Sequence, residues 1–96
     1  MTYVVIARWV ANAGHEDAVA AAIDKLVEPS RNEPGCLRYI PNRSIADPRV
    51  FLLFEEYADE AAYQTHAASE HFARYALGEG IPLLESRERE FFEPLP

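Results

Sequence analysis

Apolar residues gather in short strand-like runs at four places in the chain and recur at helical spacing at two. Tyr3 to Ala11 is rich in β-branched and aromatic residues. It divides into Tyr3, Val5, Ala7 and Trp9 on one face and Val4, Ile6, Arg8 and Val10 on the other, a strand expected to be largely buried on both faces. After a turn at Asn12–Gly14, Val19, Ala22, Ile23, Leu26 and Val27 return at steps that place them on one side of a helix. Glu16 and Asp17 sit in its first turn, where the helix dipole favours acidic groups. Pro29 has no amide proton to donate and is expected to end or kink this helix. Glu33-Pro34-Gly35 then turns the chain into a second strand, Cys36 to Ile40. Asp47-Pro48-Arg49 links it to a third, Val50 to Tyr57, and the two are expected to pair as a hairpin.

Asp59 offers its carboxylate to the free amides of a second helix. On that helix Ala62, His66, Ser69, Ala73 and Ala76 follow steps of four, four, three and three and share a face. The Ser69 hydroxyl competes for local amides and predicts a kink there, with a new turn starting at Glu70-His71-Phe72. Gly78 and Gly80 stop the helix, Ile81 to Glu85 makes a short helical turn, and Arg87 to Glu93 forms the last strand with Phe91 and Phe92. The order βαββαβ is the ferredoxin-like α+β plan, with two helices on one face of a four-stranded antiparallel sheet. Val4, Ile6 and Val10 lie on the opposite face, and no element remains to cover them. A second copy of the chain would, so a homodimer with sheet packed on sheet is expected.

With 96 residues the chain is a single domain, 1–96, able to build one modest core. Nine Lys and Arg against 16 Asp and Glu give a net charge of -7, which repels nucleic-acid phosphates and anionic membrane surfaces. Neither is an expected partner. No apolar stretch is long enough to span a bilayer and no basic-then-apolar leader is visible, so a cytoplasmic location is expected. Cys36 is the only cysteine. It can form no internal disulfide, lacks the paired spacing of zinc and redox sites, and reads as a small core residue.

His66, set among small residues on the second helix, is the best candidate for catalysis. Glu55 and Glu56 are strand neighbours that point to opposite faces, which excludes a glycosidase-type carboxylate pair. His66 and His71 are five apart, about 140° around a regular helix, so they are not expected to converge on a metal. His15 precedes the first helix and reads as solvated. Gly78-Glu79-Gly80 lacks the preceding strand and third glycine of a dinucleotide loop. No nucleophile elbow or cysteine-nucleophile signature is present. Metal, nucleotide and covalent-nucleophile mechanisms all lack residues.

Across nearly its whole length the chain resembles the antibiotic biosynthesis monooxygenase or quinol monooxygenase family. The resemblance lies in the opening strand Val4-Val-Ile-Ala-Arg-Trp9, the turn Glu33-Pro34-Gly35-Cys36-Leu37-Arg38-Tyr39, the tail Pro94-Leu95-Pro96, and a central block. That block holds Glu55, Tyr57, Asp59, Ala62, His66, Ser69, His71 and Phe72. It implies a dimeric α+β barrel. The superfamily includes cofactor-free oxygenases of quinols and anthrones, haem-degrading enzymes and isomerases of small signalling sugars. Haem-degrading members use an Asn on the first strand and a Trp and a His on the second helix. The matching positions here are Ala7, His66 and Ala76, so that branch is not expected. Quinol-type and isomerase-type members are similar in having a His at His66, followed by a Ser or Thr and an aromatic like Ser69 and Phe72.

The resemblance implies a chemistry. An oxygenase without flavin or metal needs a substrate that itself reduces O2, and a phenol or quinol does so once deprotonated. His66 would be the general base. Trp9, Phe54, Phe72 and Tyr75 would wall a pocket for a small aromatic or apolar substrate and O2, with no cofactor, and Arg38, or second to it Arg8, would stabilise the phenolate. At least two of the four aromatics are expected simply to pack the core. Arg8 and Arg38 pairing with Glu55 or Glu56 stands beside their anion-binding role. An isomerase or lyase of a small hydroxyketone, and a non-catalytic dimeric binding module, remain open alternatives.

Overall fold

The strand patterns read from the sequence become one twisted sheet with the helices on a single face. A computed structural model describes residues 1–96. The elements are β1 (Tyr3–Ala11), α1 (Glu16–Arg31), β2 (Cys36–Arg43), β3 (Val50–Tyr57) and α2 (Glu60–Ala67), then a wide-wound π-type helix, α3 (Phe72–Gly80). A 3₁₀ turn (Ile81–Leu83) leads into β4 (Leu84–Phe92). All strand pairs are antiparallel, in the order β2-β3-β1-β4. This is the ferredoxin-like α+β fold.

Three boundaries differ from the sequence reading. Helix α1 runs two residues past Pro29 instead of ending there. In the last turn proline removes one amide donor while its fixed φ remains helical. Strand β2 extends beyond Ile40 to Arg43, held by pairing of Pro41, Asn42 and Arg43 with Leu53, Leu52 and Phe51. Strand β4 starts at Leu84, because Leu84 and Ser86 pair with Ala11 and Val10 across a bulge. The hairpin connection behaves as read: Ser44 Oγ accepts the amides of Ala46 and Asp47, and Asp47 Oδ1 accepts that of Arg49.

Val5, Ala7, Trp9 and Ala11 point under the helices and meet Tyr39, Phe51, Leu53 and Tyr57 from the neighbouring strands. Val19, Ile23, Leu26 and Ala76 close this core from the helical side. Cys36 lies partly buried at its margin. The other sheet face is only partly shielded: Ile6 and Phe54 are half-buried, while Arg8, Ile40, Leu52 and Phe92 are exposed. No helix is long and apolar enough to cross a membrane.

One glycine sets where α2 docks. Gly35 O accepts the Ala58 amide at 2.9 Å, and a Cβ at Gly35 would sit 2.5 Å from the Ala62 Cβ. The turn after α1 therefore lies flush against the first turn of α2. Asp59 Oδ1 caps that turn by accepting the Ala62 amide.

Candidate functional site

Helix α2 ends just beyond His66, and the way it ends shapes the site. Ser69 Oγ donates to the His66 carbonyl at 2.7 Å and accepts the Phe72 amide at 3.2 Å, so one hydroxyl closes α2 and opens the next helix. The break carries His71 back towards His66, with ring centroids 5.9 Å apart. Glu33, in the turn after α1, meets both. Its Oε2 accepts from His66 Nδ1 at 2.8 Å and from His71 Nε2 at 2.5 Å. The divergence expected from the five-residue spacing is thus overturned, because residues 68–69 break the regular helix on which it was calculated. A carboxylate only accepts, so each ring presents its N–H to Glu33, and the second nitrogen of His66 is left with its lone pair.

That second nitrogen, Nε2, lies 3.7 Å from Glu55 Oε1 on β3. Glu55 in turn accepts from the Tyr57 hydroxyl at 2.6 Å. The rings of Tyr57, Phe72, Tyr39 and Tyr63 surround the imidazole at centroid distances of 5.4, 5.4, 5.7 and 6.4 Å. His66 is only 1% exposed and Glu55 only 5%. Burial lowers the His66 pKa against the opposing pull of Glu33. Burial also pushes the Glu55 carboxyl up to about 7, partly countered by the hydrogen bond from Tyr57. The Tyr39 and Tyr57 phenols are raised by burial and then by Glu55, so both stay protonated and able to donate.

Of the residues proposed from sequence, the structure brings only Phe72 to His66. Trp9 is on the same sheet face but further along β1, opposite Phe51, whereas Glu55 faces Val5. Four residues of strand separate the two positions by about 13 Å. Trp9 packs instead against Gly80 in the main core, in the role weighed for these aromatics. Phe54 lies on the opposite face of the sheet, because Leu53 and Glu55 turn inward. Arg38 is on that outer face too, its side chain 65% exposed and paired with Glu56 at 3.5 Å. Arg8 is exposed there as well. Tyr75 lies against Lys25 and Arg74 on the helical side. The cations that share the inner face with Glu55 are on β4: Arg89 donates to the Tyr63 hydroxyl at 2.7 Å, and Arg87 is two residues away on the same side.

The hollow expected around His66 is filled by these aromatic rings. The largest cleft, of about 520 Å³, lies between α1 and α3, and its walls include Lys25, Glu28, Glu70, His71, Arg74 and Tyr75. His71 therefore stands between the cleft and the buried ring, joined to it through Glu33. Sequence reasoning missed Glu33, Glu55 and the β4 arginines. A charged residue in phase with Phe51, Leu53 and Tyr57 was the available signal for Glu55.

The model of the antibiotic biosynthesis monooxygenase family matches residues 2–76, a span that contains Glu33, Glu55, His66 and His71. The chain belongs to this family. A relative described as "Putative monooxygenase Rv0793", from Mycobacterium tuberculosis, is 35% identical over 71 residues, 74% of this chain and 69% of that protein. Among solved structures, PA3566 from Pseudomonas aeruginosa superposes with a TM-score of 0.92 at 33% identity, covering 99% of this chain and 95% of the other. The structure of Rv0793 gives 0.90 at 29% identity, covering 100% and 97%. The family match ends at Ala76, before β4, and the likeness to PA3566 extends over all four strands.

Proposed function

We propose that this family member is a cofactor-independent monooxygenase that oxidises an electron-rich quinol, anthrone or polycyclic phenol with O2, with His66 as the general base. The observation that carries the reading is the buried imidazole, ringed by aromatic side chains and held at Nδ1 by Glu33, with Nε2 free of a hydrogen bond and 3.7 Å from the Glu55 carboxyl. Nε2 takes the substrate proton. Glu33 then faces the imidazolium and stabilises it, as the carboxylate of a catalytic triad does. The β4 pair Arg87 and Arg89, rather than Arg38, are the cations placed to favour the resulting anion.

For an anthrone the reaction balances without another reductant. The deprotonated ring carbon passes electrons to O2 and forms a C–O bond, and the O–O bond then breaks. One oxygen stays as the new carbonyl and the other leaves as water, the four electrons coming from the CH2 carbon. Entry requires Tyr63 or Phe72 to swing aside, since their rings cover the imidazole.

The test is O2 uptake by chelator-treated protein supplied with an anthrone. His66→Ala is expected to lower turnover by about 10²- to 10⁴-fold. Turnover that proceeds without O2 points to an isomerase instead. The enclosure of His66 favours a second reading, a module that binds without reacting; it stands if His66→Ala alters neither turnover nor ligand affinity.

We also infer that a second copy of the chain covers the outer sheet face. Val4 and Val10 are already buried in the single chain, but Ile6, Ile40, Leu52, Phe54 and Phe92 remain exposed or half-buried there among charged neighbours, apolar surface of the kind that marks association.

A further inference from the structure

We propose that Glu33, His66 and His71 form a binding site for one divalent first-row transition-metal cation of the zinc or iron(II) type. Their donor atoms, two imidazole nitrogens and a carboxylate oxygen, all lie within 4.8 Å of one another. Two histidines and one carboxylate are a donor set that such borderline cations take, leaving further positions open. The three ligands come from the turn after α1, the last turn of α2 and the Ser69 break. No contiguous sequence motif announces them.

A second observation points the same way. Glu33 Oε1 is buried with no hydrogen-bond partner, while Oε2 alone serves both histidines. A buried carboxylate oxygen left unpaired carries a desolvation cost, and a cation shared with Oε2 removes it.

The surroundings also suit a metal. Ligating histidines present their other nitrogen to a carboxylate, which fixes the ring. Glu55 lies 3.7 Å from His66 Nε2 and is itself held by Tyr57. Access exists at His71, whose side chain is 19% exposed. It opens on the cleft between α1 and α3, where Asp24, Glu28 and Glu70 outnumber Lys25 and Arg74 by one charge.

Metal at Nδ1 moves the proton of His66 to Nε2, facing Glu55. Cation loading and the base role of His66 therefore exclude each other. The site does not depend on the oxygenase reading, because it is measured by binding without turnover.

The experiment titrates chelator-treated full-length protein with ZnCl2 by calorimetry, and with Co²⁺ by absorption. One Zn²⁺ per chain is expected to bind, His71→Ala to weaken it at least tenfold, and Glu33→Gln to weaken it further. His15→Ala and Cys36→Ser are expected to leave affinity unchanged, since neither residue is a ligand. The Co²⁺ spectrum reports the ligands in the unaltered chain and needs no variant to fold. Visible bands without thiolate charge transfer are expected. Absence of stoichiometric binding, full affinity in His71→Ala, or a thiolate band from Cys36 would overturn the site.

Discussion

His66 Nδ1 and Glu33 Oε2 meet at 2.8 Å although 33 positions of sequence separate them. The contact ties the turn after α1 to the end of α2, so the packing of the two helical segments and the geometry of the candidate site are set together. A change in either segment's seating reaches the imidazole.

Gly35 is the first place to see this. A methyl group there meets the Ala62 Cβ at 2.5 Å, with α2 on one side and the β2 turn on the other. Gly35→Ala is expected to cost about 1–3 kcal/mol, the usual range for overpacking. The midpoint of urea unfolding measures it. An unchanged midpoint would mean that the turn is free to move away from α2.

Ser69 provides a milder probe of the same region. Its hydroxyl satisfies the His66 carbonyl and the Phe72 amide at the helix break. Ser69→Ala is expected to lose about 1 kcal/mol, as for other capping residues. For a domain of this size the melting temperature should fall by about 4–8 °C.

Cys36 offers a reading by pH. Burial, reinforced by Glu33 and Glu55, pushes its thiol up to about 11. The thiolate is the reactive form and is disfavoured in the folded chain. Alkylation by iodoacetamide at pH 8 should therefore run about a hundredfold slower than for an ordinary cysteine, and speed up as pH rises towards 11. The same thiol in urea-unfolded chain should react at the ordinary rate, which gives an internal control. Equal rates in both states would contradict the shift.

The outer sheet face makes its own prediction. Leu52 is 41% exposed on β3, between Arg8 and Asn42 on the flanking strands and Val50 and Phe54 along its own. Sedimentation should find the unaltered chain as a dimer and Leu52→Arg as a monomer, because a guanidinium beside Arg8 would be buried next to a like charge. A monomeric parent chain would remove the basis for the second copy.

The sequence carried the fold well because its signals are local. Asp59 caps α2, Ser69 breaks the helical run, and Asp47 with Ser44 shapes the hairpin, each through contacts a few residues away. The site was harder, since strands with apolar residues on both sides do not declare which face is inside. Phe54 and Leu53 are equally apolar, yet only Leu53 turns towards the helices. Arg38 and Tyr39 exchange roles for the same reason. His66 was legible from its setting among small residues, but Glu33 was not, because its link to the imidazole is purely tertiary. The reading of His71 failed for a different cause, a regular helix assumed across a break that Ser69 itself had signalled.

Strand β4 ends the sheet with Ser86-Arg-Glu-Arg-Glu90, charges of both signs on exposed side chains along a free edge. Another strand arriving sideways would have to strip water from that row, which discourages endless lateral growth into fibrils. Sideways pairing at that rim is thereby disfavoured, whereas the proposed second copy on the outer face would form a closed pair that stops at two.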